Sequence, residues 1–178
     1  DFEGKFINEF HTSQEQHYEV RKFKQWDETF LNQFNYPYQT YLHLDIDNAS
    51  IIEEDMYWEY YLLLDITDGY YRLAGFVTIY KSLQNLKRFR MRISQFIILP
   101  EYQRKGLAKR LYGIIYQKFL EKPECFEITM ESPTAIMNKI QNTFLLQRLL
   151  KLGMLEKVLT SDKSQFAKVN KYNLGKVM

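Results

Sequence analysis

One cysteine, Cys125, occurs in 178 residues, so an internal disulfide framework is excluded and a reducing compartment fits. No apolar run approaches the ~20 residues needed to span a bilayer, and no membrane association is expected. Excess charge is missing too: a net +2 argues against the dense basic surface of a dedicated nucleic-acid binder and points to a small molecule or a protein as partner. Repeats and low-complexity segments are absent. The opening Asp1-Phe2-Glu3-Gly4 is not a signal peptide and lacks an initiating Met, so further sequence on either side is expected. What is present is 46% hydrophobic and 16% aromatic, the composition of a folded chain with room for one sizeable core.

The most informative stretch runs from Arg92 to Tyr112. An apolar run of strand length breaks at Pro100 and resumes after Gly106 with Ala108, Leu111, Ile115 and Phe119 on one helical face. Strand, tight loop and helix are expected. The loop carries Arg104, Lys105, Lys109 and Arg110, and the helix opens at a glycine, so backbone N–H groups and the positive end of the helix dipole converge where a phosphate would bind. With a single glycine, this loop is neither a P-loop nor a Rossmann fingerprint.

Along the chain, residues 1–16 give no assignment and His17 to Phe23 alternates as a first strand. Trp26 to Asn48, broken by Pro37, predicts two short helices. Asp45, Asp47, Glu53, Glu54 and Asp55 form the densest acidic cluster, either a solvated loop or a surface that attracts a cationic polypeptide. Met56 to Ile66 reads as a strand buried on both faces. Asp68-Gly69 signals a hairpin, and Tyr71 to Tyr80 returns. A loop with Lys81, Lys87, Arg88 and Arg90 is expected before the central strand, which ends at Leu99. After a helix over Lys105 to about Glu121, Phe126 to Met130 should form a strand parallel to the central one. Ser132 as N-cap and Pro133 at the first helical position predict a last helix that Gly153 stops.

Gln103-Arg104-Lys105-Gly106-Leu107-Ala108 resembles the Gln/Arg-x-x-Gly-x-Gly/Ala signature of the Gcn5-related N-acetyltransferases. The preceding Arg92-Ile93-Ser94-Gln95 narrows the resemblance to the type B histone acetyltransferases, and the likeness covers about Ser50 to Leu152. It implies an α+β fold with a mixed, mostly antiparallel sheet splayed at the central strand and flanked by helices. One catalytic domain would fill 1–178, with its core at about 17–152 and a C-terminal extension over 153–178, where Ala167 to Lys171 faintly matches the family's helical region.

By that resemblance acetyl coenzyme A is the cosubstrate, and no metal is expected. Backbone groups of Phe96, Ile97 and Ile98 would hold the pantetheine arm, and amides of Gln103, Arg104, Lys105, Gly106, Leu107, Ala108 and Lys109 the pyrophosphate. An amine acceptor must lose a proton before it attacks, and a partly buried carboxylate is the expected base. Thr129-Met130-Glu131-Ser132-Pro133 matches the family's Thr-x-Glu-Asp-Pro and assigns that role to Glu131, while Ser132 replaces the family's Asp and puts a two-carboxylate mechanism in doubt. A supporting acid is expected before Trp58, where the spacing is one residue shorter than the family's; Asp55 is the choice among Glu53, Glu54 and Asp55. Peptide contacts fall on Tyr80, Lys81 and Ser82, although Tyr80 is equally an ordinary strand-end aromatic. Cys125, with no His nearby, reads as a structural thiol.

The resemblance further implies a substrate lysine on the tail of free histone four, a WD-repeat histone chaperone as partner, no direct nucleic-acid contact, and the nucleus and cytoplasm as compartments. Two alternatives stay open. One is a Gcn5-related acetyltransferase for a small amine or non-histone protein; the other is a non-catalytic module binding coenzyme A or a histone chaperone.

Overall fold

Strand β3 (Trp58–Asp65) has eight consecutive buried residues, so both of its faces are covered. The computed structural model in which it lies describes residues 4–23, 57–85 and 88–154. The helices expected between Trp26 and Asn48, the acidic cluster with Asp55 and the extension beyond Met154 fall outside the described residues. Six strands form one sheet in sequence order: β1 (Lys5–His11), β2 (His17–Phe23), β3, β4 (Arg72–Asn85), β5 (Arg88–Ile98) and β6 (Cys125–Met130). Helix α1 (Leu107–Leu120) links β5 to β6, and α2 (Ala135–Lys151) follows β6. The fold is α+β, as the sequence implies.

Pairing is antiparallel from β1 through β4. It remains so between β4 and β5, where Leu99 N–H donates to Ala74 O (3.0 Å) and Gln95 N–H to Thr78 Oγ1 (3.1 Å). Strand β6 runs parallel to β5: Phe89 N–H donates to Glu124 O (3.1 Å), Arg90 pairs with Glu127 and Arg92 with Glu131, so the contacts advance in one sense along both.

Three expectations change. The His17 strand exists but is second, because β1 precedes it as an edge strand of which only Phe10 is buried. Residues 81–85 and 88–90 of the expected basic loop are strand, since β4 continues to Asn85 and β5 begins at Arg88. Three of its cations are matched there: Lys81 pairs with Glu59, Arg90 with Glu127, and Arg88 lies over the Phe126 ring at 5.4 Å. Finally, the N-cap of α2 is Thr134, whose side chain accepts from Met137 N–H at 3.3 Å. Ser132 instead adopts a left-handed φ of 41°, which turns the chain before the helix begins.

The chain divides into two compact units, Asp1–Lys81 with Ile93–Leu111 and Ser82–Arg92 with Tyr112–Met178. In the first, Phe23, Trp58, Tyr60, Leu62, Leu64 and Phe76 pack as one cluster on a sheet face. In the second, Tyr112 and Tyr116 of α1 meet Phe144 of α2 at 5.3 and 5.8 Å between ring centroids. Gly113 permits this approach, since a Cβ there would lie 2.8 Å from Phe144 Cζ. Helix α2 ends in a Schellman motif: Gly153 has φ +64°, Met154 N–H reaches Leu149 O (2.9 Å) and Gly153 N–H reaches Leu150 O (3.0 Å).

Candidate active site

The loop between β5 and α1 is built by backbone geometry. After Leu99 a single 3-10 turn over Pro100–Tyr102 closes with Tyr102 N–H on Leu99 O (2.9 Å) and Gln103 N–H on Pro100 O (3.2 Å). The Gln103 side chain folds back and donates Nε2–H to Ile98 O at 2.9 Å, fastening the loop to the strand end. Arg104 and Gly106 then take left-handed φ values of 62° and 76°. At Gly106 a Cβ would meet nothing within 4 Å, so the dihedral and not space calls for glycine.

Helix α1 begins its ladder with Arg110 N–H on Gly106 O at 3.2 Å. The N–H groups of Leu107, Ala108 and Lys109 therefore lie before the first intrahelical bond, and the residue at the capping position has no side chain to take them. Gln103, Arg104, Lys105, Lys109 and Arg110 are exposed around this end. Two of the cations rest on aromatic rings, Lys105 Nζ 5.2 Å from the Tyr102 centroid and Arg110 5.0 Å from that of Phe10. Helix dipole, uncapped donors and positive charge coincide, which is the chemistry that holds a phosphate group.

In the same unit, Phe96, Ile97 and Ile98 are half-buried on β5. A Cβ at Gly75 would lie 2.6 Å from Ile97 O, so the glycine lets β4 and β5 close at this point. Tyr80 is half-buried too, its ring 5.2 Å from Trp58 and 6.4 Å from Tyr57 between centroids. Lys81 turns its ammonium to Glu59.

Glu131 and Ser82 belong to the second unit. Glu131 follows the last residue of β6, and its carboxylate lies 3.6 Å from Arg92 Nε, each side chain 48% exposed. Arg92 opens the Arg-Ile-Ser-Gln tetrapeptide, to which the sequence assigned no role. Cys125 donates its thiol to Glu127 O at 3.5 Å, and burial pushes it above its ordinary value. That environment fits a structural thiol and not a nucleophile.

Sequence reasoning missed Glu59. It is 3% exposed near the start of β3. Lys22 reaches it at 2.7 Å, Lys81 pairs with it, and the Tyr61 hydroxyl donates to it at 2.9 Å. Burial, then the Glu59 charge, drives the Tyr61 phenol far above its ordinary range. A glutamate inside a strand that reads as buried on both faces requires such partners, and that conflict was the available signal. Among the described residues, no group of three or more His, Cys, Asp or Glu could hold a metal, and no helix is long and apolar enough to cross a membrane.

A family model described as "Acetyltransferase (GNAT) family" matches residues 21–136. A histone acetyltransferase type B catalytic subunit of Schizosaccharomyces pombe is 34% identical over 114 residues, 61% of this chain and 30% of that protein. One from Cryptococcus neoformans is 29% identical over 138 residues, 74% of this chain and 33% of that protein. The chain thus spans about a third of the length of the curated relatives it matches. Among solved structures, the xEco2 acetyltransferase domain bound to a CoA conjugate is similar in fold, with a TM-score of 0.53 at 12% identity over 79% of this chain and 92% of that one.

Proposed function

Because the chain belongs to the acetyltransferase (GNAT) family, we propose that it transfers acetyl from acetyl coenzyme A to a lysine amine on the tail of free histone four. The observation that carries the reading is the Gly106 turn, with the N–H groups of Leu107, Ala108 and Lys109 ahead of the α1 ladder among exposed cations. These residues fit the cofactor's pyrophosphate, and the backbone of Phe96, Ile97 and Ile98 its pantetheine arm. Bound acetyl coenzyme A supplies an acyl group activated as a thioester.

The acceptor lysine is protonated near neutrality, with an ordinary pKa of about 10.4. Glu131 accepts the proton that the amine must lose. Nitrogen then attacks the acetyl carbon and the C–N bond forms; the C–S bond breaks, coenzyme A leaves as a thiolate that takes up the second proton from nitrogen, and backbone amides stabilise the oxygen that gains charge between the two events. Arg92 holds the Glu131 carboxylate from one side. Tyr80, Lys81 and Ser82 are the proposed contacts to the tail, and Asp55 is the proposed supporting acid. The names of the relatives favour a histone over a small amine, and by the same resemblance a WD-repeat chaperone joins in the nucleus and cytoplasm.

Transfer of labelled acetyl to a histone-four tail peptide, measured beside spermidine and free lysine, tests this reading. Peptide-selective transfer is expected, with kcat falling by about 100-fold or more in Glu131→Gln. Full activity of that variant at neutral pH would remove Glu131 from the role. Transfer to the small amines alone would overturn the histone assignment while leaving the family untouched.

A further inference from the structure

Tyr102 is the one buried residue of the turn from Pro100 to Gly106, 8% exposed among exposed neighbours. Three groups meet its ring and hydroxyl. Tyr18 packs edge-on at 6.4 Å between centroids. Asp65, itself buried at the end of β3, lies near the phenol; burial first, and then the Asp65 charge, raises its pKa. On the outer side Lys105 Nζ sits 5.2 Å from the ring centroid. Asp65 is fixed in its turn, accepting the Thr67 N–H at 3.0 Å as the β3–β4 connection begins.

We infer that Tyr102 is a positioning residue for the coenzyme: its buried ring, packed against Tyr18, presents the Lys105 ammonium to the coenzyme's phosphates. This rests on the reading of the loop as a coenzyme A site. An ammonium on a flexible four-carbon stem loses rotamer freedom when it engages a phosphate, and a ring that already holds it reduces that loss. Tyr102 thus sets how tightly the coenzyme is held and leaves the transfer step alone.

Calorimetric titration of coenzyme A into the full chain tests this without an acceptor or a functioning base. Tyr102→Leu should raise Kd about tenfold and Lys105→Met about fivefold, while Tyr102→Phe, which keeps the ring, should stay within about twofold of the parent. The double variant Tyr102→Leu/Lys105→Met should stay near tenfold, well below the roughly fiftyfold of independent effects, because the lysine acts through the ring. In steady-state transfer the KM for acetyl coenzyme A should rise with kcat held. A Kd for Tyr102→Leu within about twofold of the parent, effects that multiply, or a loss confined to kcat would each overturn the inference. If the leucine variant fails to fold, Lys105→Met decides, and an unchanged Kd there refutes the inference. A parent chain that binds no coenzyme A would overturn the site itself.

Discussion

Replacing Gly75 by alanine should destabilise the chain and weaken coenzyme binding together. Gly75 lies on β4 opposite Leu63. Its new Cβ would stand 2.6 Å from Ile97 O, 2.8 Å from Ile98 Cδ1 and 3.3 Å from Ile98 Cα, where ordinary contact begins at 3.4 Å. The nearest atom is backbone, so no side chain can swing away and β5 itself must retreat by about 0.8 Å to restore contact distance. Overpacking of this kind costs about 1–3 kcal/mol, against about 0.5–1 kcal/mol returned by removing a glycine from a strand interior. The net loss is about 1 kcal/mol and at most about 2.5 kcal/mol, a fall in Tm of about 2–4 °C and at most about 10 °C for a chain this long. The peptide that moves is the one proposed to hold the pantetheine arm, so coenzyme A should bind several-fold more weakly. Gly69→Ala is the control: Gly69 has φ +81° and nothing within 4 Å, so its cost of about 1 kcal/mol is purely backbone strain. Thermal and urea unfolding would be followed by calorimetry well below both transitions. A Gly75→Ala variant as stable as the parent would refute the packing argument. Equal destabilisation of the two variants with equal coenzyme affinity would refute the link to the site.

Thr134→Ala should cost about 1 kcal/mol through loss of the cap on Met137 N–H, and Ser132→Ala much less, read as urea midpoints. The reverse order would restore Ser132 as the cap. Glu59→Gln should cost about 1–3 kcal/mol, because Lys22 and Lys81 lose a common partner yet are 21% and 28% exposed and so can reach water; an unchanged midpoint would mean that the cluster is energetically idle. Burial keeps the Cys125 thiol neutral, so iodoacetamide at pH 8 should react several-fold more slowly with the folded chain than with the urea-unfolded one. A folded pKa above the unfolded value contributes stability that is complete below about pH 8.5 and is lost as pH rises through the folded value. Cys125→Ser should accordingly flatten part of the fall in stability from pH 8 to pH 10, and an identical slope would contradict the burial argument.

The sequence revealed most where one physical signal spoke alone. The apolar run into Pro100, the glycine and the amphipathic turn after it set the end of β5, the loop and α1 to within about two residues. Strand β3 was legible because eight buried residues leave no polar periodicity to misread. Strand β1 was not, since an edge strand that buries only Phe10 resembles a polar tail. The strand residues 81–85 and 88–90 read as loop because Lys81 and Arg90 find their partners on other strands, at Glu59 and Glu127, and such pairing has no local trace. At the start of α2, Ser132 and Thr134 are equally good caps on paper, and only the left-handed φ at Ser132 decides between them. Glu131 was proposed from a motif; its ion pair with Arg92 depends on β5 and β6 lying side by side, which spacing alone cannot state.

The first unit is closed by Ile93–Leu111, residues that follow the excursion of Ser82–Arg92 into the second. During synthesis β1 to β4 therefore leave the ribosome as a sheet whose last edge is bare. At 5–20 residues per second the wait from Lys81 to Ile98 lasts about one to three seconds. Through that interval Phe76, Val77 and Ile79, all buried in the finished fold, line a strand with unpaired backbone groups. Early stages of biosynthesis, more than the mature protein, are thus where this chain most needs chaperone protection.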